Sequence, residues 1–203
     1  MMSFGHTWQL LRMDIARRRQ LDGRPSTVLG TLATLLQRGC VTVVCYRLSR
    51  FCVLNSLRPL HRPLGWLAYL CAHNEVSPLA DLGGGLVIAD AGGVGIPGYA
   101  IAGRNCTFLG RNSLTLGAME GFDIERDRII LGDHCVLGNG ARIMRPVELA
   151  AGTQVLPNSV AVMRVEKVGA TIVGIPAKRR RLDPYEEVIQ WNPLQGGFIQ
   201  ERQ

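Results

Sequence analysis

The chain has 203 residues, 47% hydrophobic and 19% charged, with a formal net charge of +7. That length supports one domain with a true core plus a small second unit, and no uninterrupted apolar run reaches the ~18 residues of a membrane span. The six cysteines (Cys40, Cys45, Cys52, Cys71, Cys106, Cys135) follow no CxxC or metal-finger spacing, so no metal site is indicated and reduced thiols are expected.

The opening stretch lacks the apolar centre and cleavage site of a signal peptide, and a cytoplasmic setting is expected. Residues 1–75 read as a helical cap. Trp8, Leu11 and Ile15 share one helix face. Ser26 is placed to cap a second helix carrying Leu29, Leu32, Leu35 and Leu36, with Gly39 as its stop. Val41 to Leu54 is ambiguous, because VTVV is β-branched, but Val44, Leu48 and Phe51 fit a helix face. Pro59 and Pro63 break the chain, and Leu64 to Cys71 makes one more short apolar helix. The charge excess lies wholly in this cap: residues 1–75 hold 10 Lys+Arg against 3 Asp+Glu, and residues 76–203 hold 13 against 13. A solvated arginine face is the plain expectation. Contact with an anionic membrane surface or an acidic partner, and hence a peripheral place at the membrane, is the second. Nucleic acid is not indicated, because the basic residues are not interleaved with exposed aromatics on a recognisable module.

Glycine marks the change of architecture: five of the 24 glycines precede residue 83 and nineteen lie from 83 onward. Leu82, Ile88 and Val94 are six apart. The register then slips by two near Pro97–Gly98 and resumes with Ala102, Cys106 and Phe108. The segment Gly117 to Arg128 breaks the pattern; with Glu120, Asp123, Glu125 and Asp127 it reads as a loop thrown out from one corner. From Leu131 the repeat is strict. Bulky residues recur at Leu131, Leu137, Ile143, Leu149 and Val155, and smaller ones four places later at Cys135, Ala141, Val147, Thr153 and Ser159. A helix would repeat at about 3.6 and a simple strand at about 2; a period of six is the hexapeptide β-helix, whose coils bury their inward side chains against the coils above and below. The expected fold is therefore mainly β, a parallel β-helix over 76–181 behind the helical cap, with a polar tail over 182–203.

Three stretches carry a family resemblance: GLVIADAGGVGI (85–96), the sextets of 131–160, and TIVGIPAK (171–178). From about Glu75 to Lys178, and more loosely over the cap, the chain resembles the serine acetyltransferase branch of the hexapeptide-repeat acyltransferases. The resemblance implies a left-handed parallel β-helix, homotrimers or dimers of trimers, active sites between neighbouring prisms, and acetyl-CoA as co-substrate without a metal. It places Glu75 and Asp127 at substrate-binding positions. Asn139 and Pro157 fall on coil positions that contact CoA, and Lys178 and Arg179, followed by Arg180 and Arg181, are suited to its phosphates. The cap is shorter than in full-length members and looks more like that of short relatives acting on sugars. The final Gln203 stands where members that dock into cysteine synthase have isoleucine, so no such partnership is implied.

The family chemistry needs a base for the attacking hydroxyl and donors for the tetrahedral oxyanion. Where the family carries an Asp-His pair this chain has Ala89 and Asp90, and where the extruded loop carries Arg-His it has Asp127 and Arg128. Asp90 is the candidate base, although Asp-x-Gly is also ordinary turn chemistry; Arg128 is the candidate for orienting substrate or meeting the oxyanion. His134 is expected to point outward from a regular coil, and His73 to make a local turn contact. Two functions are expected. One is a divergent acyl-CoA-dependent O-acyltransferase acting on a hydroxyl of a sugar, polysaccharide precursor or other small molecule. The alternative is a catalytically inactive scaffold, regulatory or partner subunit.

Overall fold

The computed structural model describes residues 3–90, 92–116, 123, 127–179, 188–192 and 197–201. Four helices come first: α1 Phe4–Leu21, α2 Val28–Leu35, α3 Arg38–Leu54 and α4 His61–Ala72, with a 3-10 turn at Arg58–Leu60. The ambiguous stretch is helical, because packing overrides the β preference of VTVV. Several sequence-derived faces are rotated. On α1, Thr7, Leu11 and Asp14 are buried while Trp8 is exposed. On α3 the buried set is Gly39, Cys40, Thr42, Val43, Cys45, Tyr46, Arg47, Ser49 and Cys52, and Val44, Leu48 and Phe51 are half-buried. Thr27 rather than Ser26 caps α2, its Oγ1 accepting the Gly30 N–H at 3.2 Å. Gly39 does not stop that helix; it lies inside α3, where a side-chain carbon would sit 2.0 Å from the Ile88 carbonyl oxygen. Only glycine lets α3 lie directly on the strands below.

Those strands wind into a three-sided prism. The first coil is β1 Glu75–Val76, β2 Asp81–Leu82 and β3 Val87–Ile88; the second is β4 Gly95–Ile96, β5 Ala100–Ala102 and β6 Thr107–Phe108. The third is β7 Ser113–Thr115, β8 Ile129–Leu131 and β9 Val136–Leu137, and the fourth β10 Arg142–Met144, β11 Val147–Leu149 and β12 Gln154–Val155. The fifth has β13 Val160–Ala161 and β14 Thr171–Gly174, with Val165 bridging to Leu149. Like strands stack in parallel, giving face A (β1-β4-β7-β10-β13), face B (β2-β5-β8-β11) and face C (β3-β6-β9-β12-β14). This is the expected left-handed parallel β-helix. β15 Ala177–Arg179 turns back antiparallel on β14 and ends face C. In the tail, β16 Val188–Asn192 and β17 Gly197–Glu201 pair antiparallel with each other.

The six-residue period is the width of one face plus one corner. Leu131, Leu137, Ile143, Leu149 and Val155 are all buried, and so are the small residues Cys135, Ala141, Val147, Thr153 and Ser159 behind them. The two-residue slip does not lie at Pro97–Gly98, which form an ordinary turn closed by Ala100 N–H on the Pro97 carbonyl at 3.1 Å. It lies one corner earlier. Ile88 and Ile96 are consecutive inward residues on faces C and A, two positions further apart than the repeat allows. The extra length lies between Ile88 and Ile96, in the stretch that contains Asp90.

The first coil has strand edges with no neighbour, and the helices fill that role. Arg47 is fully buried; its guanidinium donates to the Leu82 and Gly83 carbonyls at 2.6 Å each and pairs with Asp14 at 2.8 and 3.2 Å. Asp14 in turn accepts the Leu86 N–H at 2.8 Å. Arg17 donates to the carbonyls of Gly85 and Cys106, and Arg18 to those of Ile88 and Ala89 at 2.9 Å. Arg50 reaches Ala80 and Asp81, and the Tyr46 hydroxyl donates to the Ala80 carbonyl at 2.8 Å. Part of the cap's charge excess is thus consumed in satisfying backbone acceptors, which corrects the expectation of a wholly solvated arginine face.

Candidate active site at the irregular corner

Strand register puts Asp90, Gly110, Asn139 and Pro157 at one level of successive coils. Ile88 pairs with the level of Phe108, Leu137 and Val155, and each of the four residues follows its strand by two. They form a column on the corner between faces C and A. Asp90, Asn139 and Pro157 are exposed and Gly110 is buried. At Gly110, φ is +134°, and a side-chain carbon there would lie 3.0 Å from Asp90 Cβ and 3.1 Å from Asn139 Oδ1. Only glycine lets the two side chains come this close from either side, the Asp90 carboxylate on one and the Asn139 carboxamide on the other. A carboxylate can take a proton from a hydroxyl, and the amide NH₂ can donate to a carbonyl oxygen.

Buried bonds fix the corner. Asn112 accepts the Gly110 N–H at 3.0 Å and donates to the Gly138 and Ala141 carbonyls at 2.7 and 3.3 Å. Gly93 N–H bonds the His73 carbonyl at 2.9 Å, and Arg111 N–H bonds Gly92 at 3.0 Å. On the other side of Asp90, Arg18 holds the two preceding carbonyls. Arg18, Arg111 and Asn112 were not singled out in the sequence. Asn112 carries a usable signal: it follows Cys106 by six, in a series otherwise filled by Cys, Ala, Val, Thr and Ser. Arg18 carries none, since its partners are some 70 residues away.

The other sequence candidates lie elsewhere. Glu75, exposed, flanks the same corner from the first coil, where its N–H bonds the Val94 carbonyl at 2.8 Å. It also borders a cleft of about 920 Å³ between α4 and face A, shared with Trp66, Tyr69 and Ser113. Lys178 and Arg179 are exposed on β15, at the end of face C beyond Pro157. Pro157 has no N–H, so only its carbonyl or ring is available to a ligand. Asp127 and Arg128 precede β8 at the corner between faces A and B, so a single prism does not bring them to Asp90. There Asp127 Oδ2 accepts the Asp123 N–H at 3.0 Å. Glu120, Glu125, Arg180 and Arg181 lie outside the described residues. His134 is exposed at a turn with φ +61°, on the corner between faces B and C. His73 ends α4 in the left-handed conformation with its ring against Tyr69.

No family model matches the chain. A serine acetyltransferase of Synechococcus elongatus is 29% identical over 154 residues, which are 76% of this chain and 62% of that relative. The chain thus spans about three-fifths of the length of that relative. Among solved structures, the serine acetyltransferase of Neisseria gonorrhoeae superposes with a TM-score of 0.75 at 23% identity, over 88% of this chain and 68% of its own. A serine acetyltransferase in complex with CoA superposes with a TM-score of 0.74 at 19% identity, over 87% and 71%. In sequence and in fold, the chain is similar to the serine acetyltransferase branch of the hexapeptide-repeat acyltransferases.

Proposed function

We propose that the chain moves an acetyl group from acetyl-CoA to the hydroxyl of a small molecule, with the column at Asp90 as its reaction site. The observation that carries this reading is the close approach of Asp90 and Asn139 over Gly110, on the corner that the family-like segment 85–96 enters. The Asp90 carboxylate takes the hydroxyl proton as the oxygen attacks the thioester carbonyl. The C–O bond forms, the C–S bond breaks, and the proton passes to the departing thiolate. Asn139, with its amide turned so that the NH₂ replaces the Oδ1 that faces Gly110, donates to the carbonyl oxygen as it gains charge. Lys178 and Arg179 lie toward the phosphates of CoA. Asp127 and Arg128 join the site only from a second copy, so the reading includes a homotrimer with sites between prisms.

The acceptor follows from what stands at position 127. The relatives are named for serine, whose carboxylate the resemblance would match with an arginine there; an aspartate repels it. A neutral hydroxyl, such as that of a sugar, is the acceptor we propose, with serine as its competitor. The second reading is an inactive partner subunit, favoured by the replacement of the family's Asp-His pair by Ala89 and Asp90.

The test is thiol release from acetyl-CoA against serine, sugars and polysaccharide fragments, beside Asp90→Asn. Turnover that falls about 100-fold or more in the variant supports Asp90 as base. Turnover unchanged in Asp90→Asn removes it from the mechanism. No turnover with any acceptor leaves the partner-subunit reading.

A further inference from the structure

Helix α2 is packed inside out. Its buried residues are Gly30 and Thr34, while Val28, Leu29, Leu32 and Leu36 are 80, 77, 52 and 82% exposed. These four lie within about a third of the helix circumference, a continuous apolar stripe. The inward face is small and self-satisfied. Thr34 donates to the Gly30 carbonyl at 2.8 Å, Thr31 to the Thr27 carbonyl at 3.0 Å, and a side-chain carbon at Gly30 would meet the Pro25 carbonyl oxygen at 2.4 Å. Of the leucines predicted to face the core, Leu29 and Leu36 are largely uncovered, Leu32 is about half covered and Leu35 is half-buried.

The surrounding charge has one sign. Asp14 and Asp22 are the acidic residues before Glu75. Asp14 is buried against Arg47, and Asp22 pairs with Arg18 and Arg24. Arg24 and Arg38 bracket α2 in sequence, and Arg19 donates to its Thr31 at 3.1 Å. The composition recurs on α4, where Trp66, Leu67 and Leu70 are exposed beside Arg62. Two copies joined α2 to α2 would bring arginine against arginine with no unpaired acidic side chain of the cap between them. A surface that is apolar within and negatively charged outside complements both features. Among the described residues no single helix is long and apolar enough to cross a membrane; α2 and α3 pass that test only together, as a pair bent by 83°, and α3 is held on the first coil by Arg47, so the docking considered is at the surface.

We propose that α2 docks the protein on an anionic lipid bilayer, its leucine stripe in the acyl boundary and its arginines among the headgroups. One stripe of this size binds weakly and reversibly. The attachment weakens as salt screens the headgroups.

The test is flotation of the full chain with vesicles of phosphatidylcholine alone and of phosphatidylcholine with phosphatidylglycerol, at low and high salt. The comparison variant is Leu29→Ser with Leu32→Ser; both side chains are exposed, so its melting temperature should match the parent's. Binding at least tenfold tighter to the anionic vesicles, reduced by salt and lost at least tenfold in the variant, is expected. No binding of the parent to anionic vesicles overturns the proposal, as does equal binding by the variant. A sedimentation mass that halves in the variant also overturns it, by seating a second copy on α2.

Discussion

Replacing Arg47 by methionine removes the guanidinium that joins α3 to the first coil while keeping most of the side-chain volume. The parent residue is fully buried and makes four hydrogen bonds, two to Asp14 and two to the Leu82 and Gly83 carbonyls. Orphaning one member of a buried ion pair costs about 3–5 kcal/mol; the two abandoned carbonyls put the loss at the upper end. For a chain of this size each kcal/mol shifts the melting temperature by roughly 2–4 °C, so a drop of roughly 10–20 °C is expected at pH 8. The loss should also depend on pH. In the parent, burial pushes the Asp14 carboxyl up, against the Arg47 charge, its hydrogen bonds and the backbone N–H groups that pull it down. Without Arg47 the folded-state pKa rises further above the unfolded value of about 3.9. A raised carboxyl pKa means the folded state binds the extra proton, so the penalty is full above that pKa and shrinks as pH falls toward the unfolded value. The assay is thermal unfolding of parent and variant followed by circular dichroism at pH 8 and pH 5. A drop under about 3 °C, or a deficit as large at pH 5 as at pH 8, would show that Arg47 and Asp14 do not act as this pair.

Two further outcomes follow from single positions. Gly110→Ala forces a side-chain carbon between Asp90 and Asn139 at a φ that disfavours it, and should lower acetyl-CoA turnover by about 100-fold through displacement of both groups; turnover within about threefold of the parent would remove this corner from the site. All six cysteines are free, and Cys71 alone among them is exposed. Burial pushes the Cys40 thiol up to about 11, so in native protein at pH 8 a thiol reagent should modify Cys71 rapidly and Cys40 only after unfolding. Rapid native labelling of Cys40 would contradict its packing.

The prism was legible because its period is enforced twice, by inward bulk at Leu131 to Val155 and by small corner residues at Cys135 to Ser159. Asp90 and Asn139 could be named individually, but not as neighbours. Their meeting depends on locating two extra residues, and Val94, buried in the lengthened stretch, mimics the next sextet in the sequence. The helix faces were harder. On α1 and α3 the most buried charged groups are Asp14 and Arg47, which no hydrophobic pattern marks as core because they pair with each other across two helices and with backbone atoms about 35 and 72 residues away. On α2 the leucines obey helical spacing, but the pattern gives the width of a stripe and not what covers it.

Stacked coils are open-ended by nature, since the last edge of one prism is a template for another. The seam of Arg17, Arg18, Arg47, Arg50 and Tyr46 closes that end here with side chains from helices. The helices are thus a cork as well as an appendage. A fragment trimmed to begin at Glu75 would present the bare carbonyls of β2 and β3 to its neighbours, and is expected to associate through that one bared end rather than disperse as a smaller version of the same molecule.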